Sequence, residues 1–221
     1  MAITLDSFRE TVKRIIGEQP RDVFHSILLE GLEQEIIPAR TKKARNYYRA
    51  FGSASGQDSK NTIFGNTKRF AKVPTIGKMF LFQYFPKHID TLPYHDRLPM
   101  IFPIDVINNG IMGINLHYLP LGPRATLMDA LYTLSSNNNY DEQTRLRISY
   151  DVLKAASKFS LFRPCVKKYL FSQVQSPFYE VSSFEWDIAL FLPVEMFATG
   201  RSGPSAAALS AAQSGSIGRK V

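Results

Sequence analysis

The chain has 221 residues, 44% of them apolar, and a formal net charge of +8. That length buries one core with little room for a second, so one domain with appendages is expected. A single cysteine, Cys165, excludes an internal disulfide framework. No apolar run approaches the ~18 residues of a membrane span, and the first residues lack the basic region and apolar core of a signal peptide. A soluble intracellular product is therefore the expectation.

In chain order, two amphipathic helices come first. Ser7, Phe8, Arg9 and Glu10 have the spacing of a capping box, and Val12, Ile15 and Ile16 follow on the same side as Phe8. A second helix over 21–36 sets Phe24, Ile27, Leu28 and Leu32 on one stripe, and Pro38 stops it. This helical segment, 1–38, must bury its stripe on its own core domain or on a neighbouring subunit.

The excess charge sits directly after this helical segment. Residues 39–72 hold nine of the 27 basic residues and one of the 19 acidic ones, so the rest of the chain is neutral. Within this stretch, 51–62 is too polar and too rich in Gly and Ser to fold alone, so 39–75 reads as a basic flexible linker. Tyr47, Tyr48, Phe51, Phe64 and Phe70 are interspersed among its cations, a mixture suited to stacking on bases or docking on a protein. The competing reading is a solvated connector whose charge serves solubility. A mobile basic arm neutralises phosphates and releases counterions without a rigid surface, which favours nucleic acid as the partner. A membrane is the weaker choice, because no apolar face accompanies the charge. The candidate nucleic-acid contacts are Arg40, Lys42, Lys43, Arg45, Arg49, Lys68, Arg69 and Lys72.

From residue 76 the pattern changes to short aromatic and aliphatic runs cut by Pro86, Pro93, Pro99, Pro103 and Pro120, which suits short curved strands and excludes a long helix. Over 79–85 both alternating faces are apolar, as in a barrel strand covered on both sides. The run 98–104 carries two prolines and belongs at an edge, or pairs on one side only. Asn109-Gly110 is a turn signal, and Gly113 marks a bulge or a close backbone approach. The fold class expected is α+β: a small SH3-like β-barrel with packed helices over 76–198, preceded by the helical pair on its basic linker.

Gly122-Pro123 opens a helix carrying Leu127, Leu131 and Leu134, and a second helix runs from Asp141 to about Lys158. The periodicity of 163–175 is ambiguous, 178–181 reads as a short strand, and a closing helix from Ser183 ends before Pro193. Beyond residue 199 the chain is Ala, Ser and Gly with almost no large apolar residues, and 199–221 reads as a disordered tail.

Catalytic chemistry has little to stand on. His88, His95, Asp96 and His117 are the best metal candidates, yet their spacing matches no metal motif, and Asp96 more readily caps backbone in a Pro-bounded turn. Cys165 beside Val166 reads as a packed thiol despite Lys167 and Lys168. Glu180, Glu185 and Asp187 read as surface charges and Trp186 as a core anchor. There is no phosphate loop and no nucleophile elbow. No cofactor, metal site or enzyme is expected.

Five blocks carry a family resemblance: Phe82 to Lys87, Asp90 to Pro99, Gly113 to Pro120, Phe162 to Leu170, and Glu185 to Pro193. In this order they resemble small virion proteins of contractile-tailed bacteriophages, most closely the DNA end protectors. The resemblance covers 76–198 and leaves out the basic linker. It implies a non-enzymatic structural protein that binds and protects the ends of packaged linear double-stranded DNA at the portal or neck. It also implies a multimer in the virion, assembled in the host cytoplasm. The alternative is a tail, neck or baseplate connector tying neighbouring virion subunits through extended arms, its basic linker in an acidic protein groove. A metal-dependent nuclease built on the histidines is the alternative from another class.

Overall fold

The computed structural model describes residues 66–135, 142–159, 162–192 and 194–217, with residue 46 apart from them. The amphipathic helices expected over 7–36, most of the basic linker and the loop over 136–141 lie outside the described residues. Those described fall into two compact units, one holding 66–69 and 184–192, the other 70–183 and 194–217.

In the larger unit, chain order gives β1 (Phe70–Ala71), β2 (Met79–Leu81), β3 (His95–Asp96), β4 (Met100–Ile107), β5 (Gly110–Asn115), helix α1 (Leu121–Ser135), helix α2 (Glu142–Ala156), β6 (Val166–Leu170) and β7 (Phe178–Val181). After an excursion into the smaller unit, which contributes helix α3 (Trp186–Phe191), β8 (Phe197–Ala198) and helix α4 (Ala206–Ile217) complete it. Six strands form one antiparallel sheet in the order β1-β7-β2-β4-β5-β6, and β3 pairs with β8 in a separate ribbon.

This sheet is open, which corrects the barrel expectation: the fold is α+β, and the SH3-like detail has no support. Closing a barrel requires the two outermost strands to pair at a matched tilt and stagger. Here one edge, β1, is only two residues long and pairs with β7, while the other, β6, pairs with β5. The segment from Pro86 to Pro93 runs largely as turns and adds no strand to the sheet.

The hairpin β4–β5 shows how Pro103 is accommodated. Strand β4 is central in the sheet order, but β2 covers it only at Met100 and Ile101. From Phe102 onward β4 pairs with β5 alone, so Pro103 faces no second ladder, and the register shifts between Pro103 and Asp105. Gly113 lies opposite Pro103, where a Cβ would come within 2.9 Å of Ile101 Cδ1 and 3.1 Å of the Phe102 carbonyl oxygen. Gly110 opens β5 just after the Asn108-Asn109 turn. A Cβ there would stand 2.1 Å from the Tyr169 carbonyl oxygen, so only glycine lets β6 approach.

The core is aromatic. Phe80, Phe82, Tyr84, Tyr169 and Phe178 are buried together with Ile101 and Ile111. Tyr169 meets Phe82 edge-on at 5.2 Å and Tyr84 edge-on at 4.9 Å, and the Phe178 ring lies tilted against Phe82 at 4.8 Å. Such contacts add to simple area burial and fix which ring lies against which. Helices α1 and α2 pack on one another, and Leu127, Met128, Leu131 and Leu153 are buried.

The tail contains a helix where disorder was expected. Alanine is the best helix former, and its small side chain permits close approach: Ala208 and Ala212, one turn apart, are both buried. Ser205 caps the first turn by accepting from the Ala208 N–H at 3.2 Å, and Gln213 Nε2 donates to the His117 carbonyl at 3.2 Å.

Within the smaller unit, Asn66 is buried at the head of a 3-10 turn over Thr67–Arg69, its Oδ1 accepting from the Lys68 N–H. Helix α3 carries buried Trp186, Ile188, Ala189 and Leu190.

Candidate nucleic-acid interface

Strand β3 is two residues long, and alternation sends its side chains to opposite faces. Both are buried, and their surroundings differ. The Asp96 carboxylate accepts four hydrogen bonds: from Asn115 Nδ2 at 3.0 Å, His117 Nδ1 at 2.7 Å, the Leu98 N–H at 3.0 Å and the Met196 N–H at 3.3 Å. Burial by itself raises this carboxyl, and the His117 charge with the donors from His117, Asn115 and Leu98 overcomes that, leaving it below its ordinary value. Asn115 also donates to Tyr169 Oη at 3.0 Å and accepts from the His117 N–H at 2.9 Å, so β3, β5 and β6 are joined through polar groups. His117 Nε2 is enclosed and has no hydrogen-bond partner among the described residues. A histidine oriented by an aspartate is the couple used in general-base catalysis, but a nitrogen sealed from solvent reaches no substrate.

Beneath this network lies Arg124, fully buried. Its Nη1 pairs with Glu195 Oε1 at 2.7 Å, Nε donates to the Leu119 carbonyl at 2.6 Å, and Nη2 donates to the His117 carbonyl at 3.1 Å. Cys165 is buried and its thiol is pushed up to about 12, chiefly by burial, with Lys167 and Arg124 opposing, so it stays a protonated packing group.

His95 opens on different surroundings. It is 3% exposed, and neither ring nitrogen has a hydrogen-bond partner among the described residues. Burial and the neighbouring Arg97 charge lower its pKa against the pull of Asp96, so the ring is neutral at neutral pH, with one nitrogen a donor and the other an acceptor. The residue lies in the wall of a cleft of about 340 Å³ between the 84–96 segment and the edge strand β6. Lys87, His88, Lys167 and Lys168 are at the cleft together with Tyr84, Tyr94, Tyr118 and Tyr169. Lys167 Nζ sits 4.1 Å from the centre of the Tyr118 ring, a cation–π contact, and its pKa is lowered by burial. Asp96 is the single acidic residue among the lining side chains, and its charge is already met by its four donors. The cleft is therefore basic and aromatic.

The residues assigned from sequence are distributed differently. Arg40, Lys42, Lys43, Arg45 and Arg49 lie outside the described residues. Lys68 and Lys72 are exposed. Arg69 is not free for phosphate in this arrangement: its Nη1 and Nη2 fork onto Glu185 Oε2 and Oε1 at 2.5 and 2.9 Å, with both side chains buried. Glu185, expected as a surface charge, is fully buried as its partner. Of the four metal candidates, Asp96 and His117 bond one another, and no cluster able to hold a metal ion occurs among the described residues. Sequence reasoning missed the cleft because 84–96 and 167–170 are far apart in the chain. The available signal was Lys167-Lys168, which reads in sequence only as a pair of neighbours of Cys165 and lies on an exposed sheet edge, where lysine also discourages strand addition.

No curated protein and no solved structure matches the chain. A family model does: that of the phage T4 terminal DNA protecting protein matches residues 28–211. The match extends beyond the blocks at 76–198 and takes in the basic stretch 39–72 as well as the tail helix α4 up to residue 211. Over most of its length, then, this chain belongs to the phage T4 terminal DNA protecting protein family.

Proposed function

We propose that this protein binds the ends of linear double-stranded DNA packaged in a phage head and shields them from exonucleases, acting without catalysis at the portal or neck of the virion. The observation that carries this reading is the family match over a region containing the entire charge excess of the chain. An end binder that serves any genome terminus needs phosphate contacts indifferent to sequence, and a cationic stretch with interspersed aromatics supplies them. The buried thiol of Cys165 and the enclosed Nε2 of His117 give the larger unit no accessible nucleophile or base at those positions, which is consistent with a protective role.

The test is protection of linear duplex DNA from a processive exonuclease, comparing the protein with a variant in which Arg40, Lys42, Lys43, Arg45 and Arg49 are all alanine. Protection that the variant loses is the expected result. Each phosphate contact contributes about 0.9 to the slope of log affinity against log salt, so removing five cations lowers that slope by up to about 4.5. Absence of binding and protection at moderate salt would overturn the reading and leave a tail, neck or baseplate connector as its replacement.

A further inference from the structure

We propose that the cleft between the 84–96 segment and strand β6 takes one unpaired nucleotide from the terminus of a DNA duplex, its base against Tyr94 and its phosphate among Lys87 and Lys168. This inference rests on the end-binding reading and supplies what phosphate contacts lack, a means of distinguishing an end from the middle of a duplex.

Three observations carry it. A volume of about 340 Å³ is that of a small-ligand site, too narrow for a duplex and sufficient for a single nucleotide. The lining joins cations to aromatic rings, the combination that holds single-stranded nucleic acid by phosphate attraction and base stacking. Tyr94 is the most exposed of the four tyrosines and is braced by ring contacts with Tyr118 at 6.1 Å and Phe197 at 6.3 Å, so a base stacking on it meets an ordered surface.

Selectivity follows from the cost of entry. An internal nucleotide reaches such a cleft only by breaking its pairing and its stacking on both sides. A terminal one is stacked on one side and frays readily, so the same cleft binds ends of any sequence in preference to continuous duplex. Lys87 and Lys168 are exposed and their replacement disturbs no core contact, which makes them the informative positions.

The experiment measures competition between a blunt linear duplex and a covalently closed minicircle of the same sequence, for the full chain and for the K87Q/K168Q variant, with thermal melting as the folding control. A second readout places 2-aminopurine at the terminal or at a central position of the linear duplex. The expected result is a preference for the linear form that falls roughly tenfold or more in the variant, with a fluorescence change on binding for the terminal probe alone. If the protein prefers ends, the variant keeps that preference and the terminal probe is silent, the cleft assignment is overturned while end binding stands. If linear and closed DNA compete equally, end binding itself fails, and this inference with it.

Discussion

His95 and Asp96 are adjacent in a two-residue strand, both are buried, and the structure treats them in opposite ways. Asp96 is met by four donors from three separate parts of the larger unit, whereas both nitrogens of His95 lack partners among the described residues. Burying a polar group is costly unless its hydrogen bonds are restored. The saturated residue therefore belongs to the framework, tying 96 to 98, 115, 117 and 196. The unsaturated one carries an unrecovered cost: it borders the basic, aromatic cleft, but both of its ring nitrogens are enclosed, as His117 Nε2 is. Two neighbouring buried residues thus differ in what their burial costs the fold.

The sharpest way to break this comparison is Asp96→Ala. It removes one of the two bonds made by Asn115 Nδ2 and strands the His117 imidazole and two backbone N–H groups in the interior, and loss of a buried charged partner costs about 3–5 kcal/mol. A urea titration should show the midpoint falling accordingly; an unchanged midpoint would mean the network is not structural. Gly110→Ala comes next. The new Cβ would press on the Tyr169 carbonyl, backbone that cannot move without parting β5 from β6, and overpacking of this kind costs about 1–3 kcal/mol. Gly113→Ala should cost less than Gly110→Ala, because its nearest neighbour is the terminal methyl of Ile101.

The pH dependence follows from the depressed Asp96. A carboxyl with a folded pKa below its ordinary 3.8 contributes stability that is fully present above that value and is lost as pH falls through the folded pKa. Thermal melting followed from pH 6 downward should therefore show a decline below about pH 4 that is larger in the protein than in Asp96→Asn. Equal declines would assign the acid sensitivity to other carboxylates.

These contrasts also mark how far the sequence can be read. Helix α1 and strand β7 are legible because leucine periodicity and a flanked apolar run are local signals, and Pro103 is legible as a residue that pairs on one side. The barrel expectation fails because alternation tells which face a side chain takes and not which strand lies beside it. Strand β7 enters the sheet between β1 and β2, which lie far upstream of it in the chain, and no local pattern encodes that partner. The tail helix escapes a reading in which scarcity of large side chains means disorder, because Ala208 and Ala212 bury through their smallness. In the site, His95 and Asp96 stand out in sequence as a pair for metal or turn chemistry. Their division of labour depends on Asn115, His117 and Met196, whose approach only the folded chain reveals.

His95→Leu carries the smallest expected effect on stability and the most direct bearing on the comparison. Replacing a buried imidazole whose nitrogens have no protein partners among the described residues removes a desolvation cost and leaves no partner stranded. The loss of ring volume is thereby partly offset, and the net change should stay within about 1 kcal/mol. The same substitution removes no polar group that a ligand in the cleft reaches, because both ring nitrogens are enclosed. Urea unfolding and end-binding assays on this one variant should therefore agree: a midpoint near that of the parent, and an unchanged preference for linear over closed DNA. A large fall in stability would show instead that His95 is held by the fold as firmly as Asp96, and that the contrast between the two neighbours is one of geometry alone.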